Sequence, residues 1–296
     1  ADRDTITAFT MKSDRRNCDL SFSNLCSWRF LYDTQFAVID DFLVFKFWAG
    51  EQLAYMMPVG NGDLKAVLRK LIEDADKEKH NFCMLGVCSN MRADLEAILP
   101  ERFIFTEDRA YADYIYLRSD LATLKGKKFQ AKRNHINRFR NTYPDYEYTP
   151  ITPDRIQECL DLEAEWCKVN NCDQHEGTGN ERRALIYALH NFDALGLTGG
   201  ILHVDGKIVA FTFGMPINQD TFGVHVEKAD TTIDGAYTMI NYEFANHIPE
   251  QYTYINREED LGIEGLRKAK LSYQPVIILE KYMACLKDIP VDPVKW

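Results

Sequence analysis

The chain has 296 residues, 46% hydrophobic and 27% charged, with 35 Lys and Arg against 45 Asp and Glu for a formal net charge of −10. That length suits two domains with buried cores, and this apolar content excludes a disordered or fibrous chain. The acidic total argues against general binding of nucleic acid or an anionic membrane, whose long-range field it would repel.

Residues 21–32 carry Leu25, Trp28 and Leu31 at helical spacing. The runs 36–40 and 42–49, joined by Asp40-Asp41, are β-branched and aromatic and predict a strand pair, with a third strand over 52–60. Over 63–80, Leu64, Val67, Leu68 and Leu71 share one face of an amphipathic helix. A buried strand at 81–87, a helix at 91–99 and a strand at 112–119 complete a first α/β domain, residues 1–120. The eight cysteines, Cys18, Cys26, Cys83, Cys88, Cys159, Cys167, Cys172 and Cys285, form no C-x-x-C pair and lie mostly in apolar patterns. They are expected to be free thiols of a reducing compartment. No apolar run approaches the ~20 residues that span a bilayer, so the expectation is a cytoplasmic protein without stable membrane insertion.

The second domain, 121–296, opens on KGKKFQAKRNHINRFRN, residues 125–141. On a helix, Phe129, Ile136 and Phe139 form its apolar face, and Lys132, Arg133 and Arg140 flank that face. Cations at a core margin need partners, because desolvating an unpaired charge costs several kcal/mol. Two sets are available: the acidic run Glu258, Glu259, Asp260 and Glu264, or a bound phosphate held by Lys132, Arg133 and His135. Helices follow at 152–170, which Thr152 caps and Pro153 starts, and at 181–195. Strands at 199–216 turn on Asp205-Gly206 and continue at 221–230; then come a helix at 235–248, a strand at 252–258, a helix at 260–273 and a closing strand at 276–286. At Gly235-Ala236 a strand–loop–helix turn aims unpaired N–H groups and a helix dipole at one point, as a phosphate requires.

The order strand, Gly-containing loop, helix, strand ending at Asn256, helix and Tyr273 resembles the GCN5-related N-acetyltransferase superfamily. There an Arg/Gln-x-x-Gly-x-Gly/Ala segment holds the coenzyme A pyrophosphate; here the matching stretch is Thr232-Ile233-Asp234-Gly235-Ala236-Tyr237. Thr replaces the leading Arg/Gln, and Tyr the final small residue. The resemblance implies coenzyme A or acyl-coenzyme A held by Val226, Lys228, Thr232, Asp234, Gly235, Ala236, Tyr237 and Thr238. It also implies that Asn256 bonds a pantetheine amide and that Tyr273 protonates the leaving thiolate. The segments LKGKKFxxKRNHINRF (124–139) and NREEDLGIEGLRKAKLSYQP (256–275) are similar to an uncharacterised bacterial family. That family is related to the C-terminal domain of phosphatidylglycerol lysyltransferase and, more distantly, to the Fem-type peptidyltransferases. In the first half the likeness rests on Ser21, Asn24, Leu25 and Trp28. It implies two tandem acetyltransferase-like (GNAT-like) domains of α/β class, with mixed sheets of the α+β type and the donor site in the second.

Acyl transfer to an amine needs a group that takes the amine's proton. On the strand 222–227, His225 and Glu227 share the face opposite Val224 and Val226, and Glu176 in the loop DQHEGTGN (173–180) is a third candidate base. No Gly-x-Ser-x-Gly, HExxH or Cys/His metal spacing occurs, so neither a serine triad nor a metal is expected. The leading expectation is an acyltransferase moving an acyl group from coenzyme A to an amine-type acceptor. The alternatives are an aminoacyl-tRNA donor with a lipid or peptide acceptor, for which the basic helix would hold phosphates, and a non-catalytic binding protein on the same fold.

Overall fold

The structure, a computed structural model, describes residues 2–170 and 176–287. It begins with helices α1 (Asp2–Thr10), α2 (Phe22–Ser27) and α3 (Arg29–Tyr32) and strands β1 (Gln35–Ile39), β2 (Phe42–Ala49), β3 (Gln52–Tyr55) and β4 (Val59–Gly60). There follow α4 (Leu64–Lys77), β5 (Cys83–Cys88), α5 (Ser89–Ile98), β6 (Phe103–Glu107), β7 (Asp113–Leu117) and α6 (Arg118–Thr123). Next are α7 (Gln130–Thr142), β8 (Glu147–Pro150), α8 (Ile156–Asn170), α9 (Glu176–His190) and α10 (Phe192–Leu195). The chain continues through β9 (Thr198–Val204), β10 (Lys207–Pro216), β11 (Thr221–Ala229) and α11 (Ala236–His247). It closes with β12 (Tyr254–Asn256), α12 (Glu264–Leu271), β13 (Ile277–Leu279) and β14 (Lys281–Leu286).

Two seven-stranded mixed sheets organise these elements in an α/β fold. The first runs β1-β2-β3-β5-β14-β6, with β4 paired to β2; the second runs β13-β7-β12-β11-β10-β9-β8. Helix α4 forms where the 3.6-residue period puts Val67, Leu68, Leu71, Ile72 and Ala75 on one face, and Asp63 caps its start by accepting from the Ala66 N–H at 3.0 Å. That face packs on Phe42, Tyr55, Phe82 and Met84 of the first sheet. A second core joins Ile6, Leu20 and Leu25 to Phe45 of the first sheet and Phe211 and Phe213 of the second, so the N-terminal helices bind the two sheets together.

The sheets exchange strands across the division read at residue 120. Strand β7 from the first part pairs with β12 and β13 in the second sheet, and β14 at the C-terminal end lies between β5 and β6 in the first. The closing strand expected over 276–286 is therefore two strands in different sheets. The cysteine reading is corrected by the same exchange. Cys285 stands opposite Cys83 in the β14–β5 register, and the two are disulfide-bonded with Cα atoms 4.1 Å apart. Cys167 is also disulfide-bonded, while Cys18, Cys26, Cys88 and Cys159 are free. Partners 202 residues apart give no local sequence signal, which is why the spacing hid this pair. Among the described residues no helix is long and apolar enough to cross a membrane.

Candidate functional site

A cleft of about 1390 Å³ opens between the two halves. It begins where β11 and β12 part. Their parallel pairing ends at Gly223 opposite Asn256, and beyond that point residues 224–228 on one side and 257–259 on the other line the cleft. A β-bulge re-aims β11 here: Phe213 opposes Val226 and Gly214 opposes Val224, which leaves His225 as the extra residue. Glycine is required at 214 because a Cβ there would run into the Gly223 carbonyl oxygen. The first half supplies the opposite wall, including Asn24, Trp28, Tyr32, Phe47 and Tyr111.

The bulge turns His225 into a buried network. Its Nδ1 lies 2.7 Å from Glu258 Oε1 and its Nε2 2.8 Å from Ser21 Oγ. Asn24 Nδ2 donates to the same Glu258 oxygen at 2.7 Å. With Glu258 as the acceptor, Nδ1 carries the proton and Nε2 accepts from the Ser21 hydroxyl. Both ring nitrogens are thus engaged, although the ring edge borders the cleft. The serine–histidine–carboxylate order arises without the Gly-x-Ser-x-Gly turn, and Ser21 is only 1% exposed.

Glu227 lies in the wall itself. Arg257 Nη2 donates to its Oε1 at 3.0 Å, and Asn241 Nδ2 to its Oε2 at 3.3 Å. Burial opposes the Arg257 charge, but Glu227 together with Tyr116 and Tyr273 offsets this and its pKa is raised. The Arg257 guanidinium and the Lys132 ammonium both sit over the Tyr273 ring, 4.9 and 3.8 Å from its centre. Burial keeps the Tyr273 hydroxyl protonated beyond its usual range, although Arg257 and a hydrogen bond with Thr238 pull the other way. Lys132 is driven down to about 8 by burial and then by Arg257, with Glu227 opposing. Lys228 pairs with Glu181 at 2.7 Å and lies 3.6 Å from the centre of the Trp166 ring, whose Nε1 donates to Tyr237. Val226, Tyr237 and Thr238 line the same cleft.

Other residues singled out in the sequence lie elsewhere. Gly235 holds φ +85° at the start of α11, and a Cβ there would meet Phe139 at 3.5 Å and the His135 carbonyl at 3.6 Å. Helix α7 packs beside that turn, and Thr232, Asp234, Gly235 and Ala236 do not line the cleft. Asp234 pairs instead with Arg138 at 2.5 Å. Asn256 is fully buried: it donates to the Arg16 carbonyl and to Asp113, and accepts from the Glu258 N–H. Arg133 donates to the Leu124 and Gly126 carbonyls and to Gln130, closing the turn before α7, while His135 is exposed beside Arg138. Of the three residues expected to face an internal anion, only Lys132 lines the cleft. The acidic run does not serve the basic helix either: Glu258 takes His225, Glu259 takes Lys281, and Asp260 takes Arg267. The Glu176 side chain lies outside those described.

One cluster escaped the sequence reading. Lys281 places Nζ 2.8 Å from Asp113 Oδ1, 2.6 Å from Glu259 Oε1 and 3.1 Å from Asp19 Oδ2. The Cys18 thiol donates to Asp113 and Glu259 at 3.3 and 3.4 Å. Burial works against the Lys281 charge, but Asp113, Asp19, Cys18 and Glu259 together outweigh it and hold its pKa well above the usual lysine range; burial pushes Glu259 up. Cys18, Asp113 and Glu259 have the donor types of a metal site, and here the ammonium of Lys281 supplies the positive charge. The readable signal was a charged residue inside each apolar strand, Asp113 in β7 and Lys281 in β14.

A family model described as phosphatidylglycerol lysyltransferase, C-terminal, matches residues 10–285. The chain belongs to that family. A crystal structure of a conserved protein of unknown function from Bacteroides thetaiotaomicron is 96% identical with a TM-score of 0.95, each chain being 97% covered. Two further structures share the fold. The C-terminal domain of a candidate lysylphosphatidylglycerol synthetase from Agrobacterium fabrum is 14% identical, with 97% of this chain and 92% of that one covered at a TM-score of 0.72. The L-PGS structure from Bacillus licheniformis is 18% identical, with coverages of 99% and 94% and a TM-score of 0.65. An uncharacterized protein of Mycoplasmoides gallisepticum is 27% identical over 176 residues, 58% of this chain and 55% of the relative's length.

Proposed function

We propose that the protein is an acyl-transfer enzyme acting in this cleft, with an activated acyl carrier entering where β11 and β12 part. The observation that carries the reading is the Glu227–Arg257–Tyr273 group in the wall of a cleft larger than one small ligand needs. Membership of a family named for a lysyltransferase supports the same class of reaction.

In this reading the acceptor amine gives its proton to Glu227, directly or through a water, and its lone pair attacks the acyl carbonyl. The tetrahedral intermediate collapses with loss of the carrier, and Tyr273 donates its proton to the departing thiolate or alkoxide. Arg257 fixes the orientation of Glu227, and the burial of Tyr273 keeps its proton in place until the leaving group takes it. His225 is a positioning residue, since Ser21 and Glu258 hold both of its nitrogens.

Acyl-coenzyme A is the first donor, bound along Val226, Lys228, Tyr237 and Thr238. An aminoacyl-tRNA is the second, favoured by the exposed Lys125 and Lys127 that precede α7, whose Lys132 lines the cleft. Calorimetry with acetyl- and longer acyl-coenzyme A, beside filter binding of total tRNA at increasing salt, tests both. Saturable binding of one donor is expected. No binding of any acyl-coenzyme A together with a flat salt slope for tRNA overturns the reading.

A further inference from the structure

Among the described residues, the cleft holds a cation with no ion pair and a guanidinium with an unpartnered nitrogen. Lys132 forms no ion pair among the described residues; its nearest recorded contact is the Tyr273 ring. Arg257 directs Nη2 to Glu227, but its Nη1 is buried without a hydrogen-bond partner among them. Lys270 adds a third cation nearby and donates to the Arg257 carbonyl. Lys132 and Arg257 thus share the single carboxylate of Glu227, while Glu258 and Glu259 pair with His225 and Lys281. Lys228, by contrast, is already paired with Glu181.

An unsatisfied buried guanidinium N–H costs its full desolvation penalty, and a half-buried ammonium beside it adds repulsion. A folded chain retains such a pair where a ligand anion completes it. We infer that Lys132 Nζ and Arg257 Nη1 form a subsite for a phosphate-type oxyanion of the substrate, over the Tyr273 ring. The planar guanidinium donates directionally to one anion oxygen, while the ammonium acts as a movable point charge on another. The inference rests on binding alone and does not require the transfer reaction.

Calorimetric titration of the full chain with inorganic pyrophosphate tests the subsite, with parallel titrations of coenzyme A and sn-glycerol 3-phosphate to separate a nucleotide carrier from a lipid-type headgroup. One site is expected, weakened at least tenfold in Lys132→Met, retained in Lys132→Arg and unchanged in Lys207→Met, an exposed lysine outside the cleft. Lys132 is partly buried and forms no ion pair among the described residues; circular dichroism checks that its variants keep the fold, and Arg257→Lys provides a second variant that keeps the charge but loses the unpaired N–H. No binding of any probe at millimolar concentration, or equal binding by wild type and Lys132→Met, overturns the inference. Anion binding without turnover by any donor would leave the subsite standing and remove the proposed reaction instead.

Discussion

Lys281 Nζ on β14 lies 2.8 Å from Asp113 Oδ1 on β7, with side-chain exposures of 4% and 0%. This pair ties the last strand of the first sheet to the exchanged strand of the second, and Glu259 and Asp19 close around it. Removing the ammonium leaves buried carboxylates without a counter-charge. Lys281→Met is expected to cost about 3–5 kcal/mol. Urea unfolding of the two proteins measures this; equal midpoints would show the cluster to be energetically idle.

The Cys83–Cys285 disulfide closes a 202-residue span and holds β14 against β5. Cys285→Ser is expected to lose roughly 2–4 kcal/mol, because the unfolded chain regains loop entropy. Thermal unfolding with and without reductant reads it out, and the variant should be insensitive to reductant at this site.

Lys132 titrates at about 8 instead of 10.5. Between those values the unfolded chain binds more protons, so stability rises with pH over roughly 8 to 10.5, and the cost of holding the charge is fully present below pH 8. Anion binding needs the ammonium and has the opposite sign. The groups facing it are Arg257, Glu227 and Tyr273; Arg257 keeps its charge throughout. Pyrophosphate affinity should fall roughly tenfold between pH 7 and 9. The Lys132→Arg variant should show a flat profile over the same range.

Asn256 was expected to bond the donor's pantetheine, but its amide joins Arg16, Asp113 and Glu258 in the interior. Asn256→Ala should therefore cost about 1–3 kcal/mol of stability through unpaired buried groups. Donor affinity of the folded variant should stay within twofold of wild type. A selective loss of affinity at unchanged stability would restore the donor role.

The order of elements from β9 to α12 was legible because each has a clean period and punctuation such as Asp205-Gly206. The shared location of His225 and Glu227 was legible from alternation, though not the bulge, which depends on the close approach of Gly214 to Gly223. Residues 103–107 and 147–150 were missed as strands because both are short and border their sheets. The basic helix misled because its cations find local partners: Lys128 pairs with Asp120, Arg138 with Asp234 and Arg140 with Glu243. Lys132 alone combines the right face with no such partner. Arg257 and Lys281 were invisible as site residues, since only tertiary folding brings them to Tyr273 and Asp113.

Transfer of a labelled acyl group in a single turnover, followed by mass spectrometry of amine acceptors, tests the central claim most directly. Wild type and Glu227→Gln are compared with acyl-coenzyme A and with aminoacyl-tRNA. The account predicts product from one donor class with wild type and a ~10²–10⁴-fold slower reaction with Glu227→Gln, with pyrophosphate binding retained or strengthened. Equal rates in the two proteins, or no product from either donor, would contradict it.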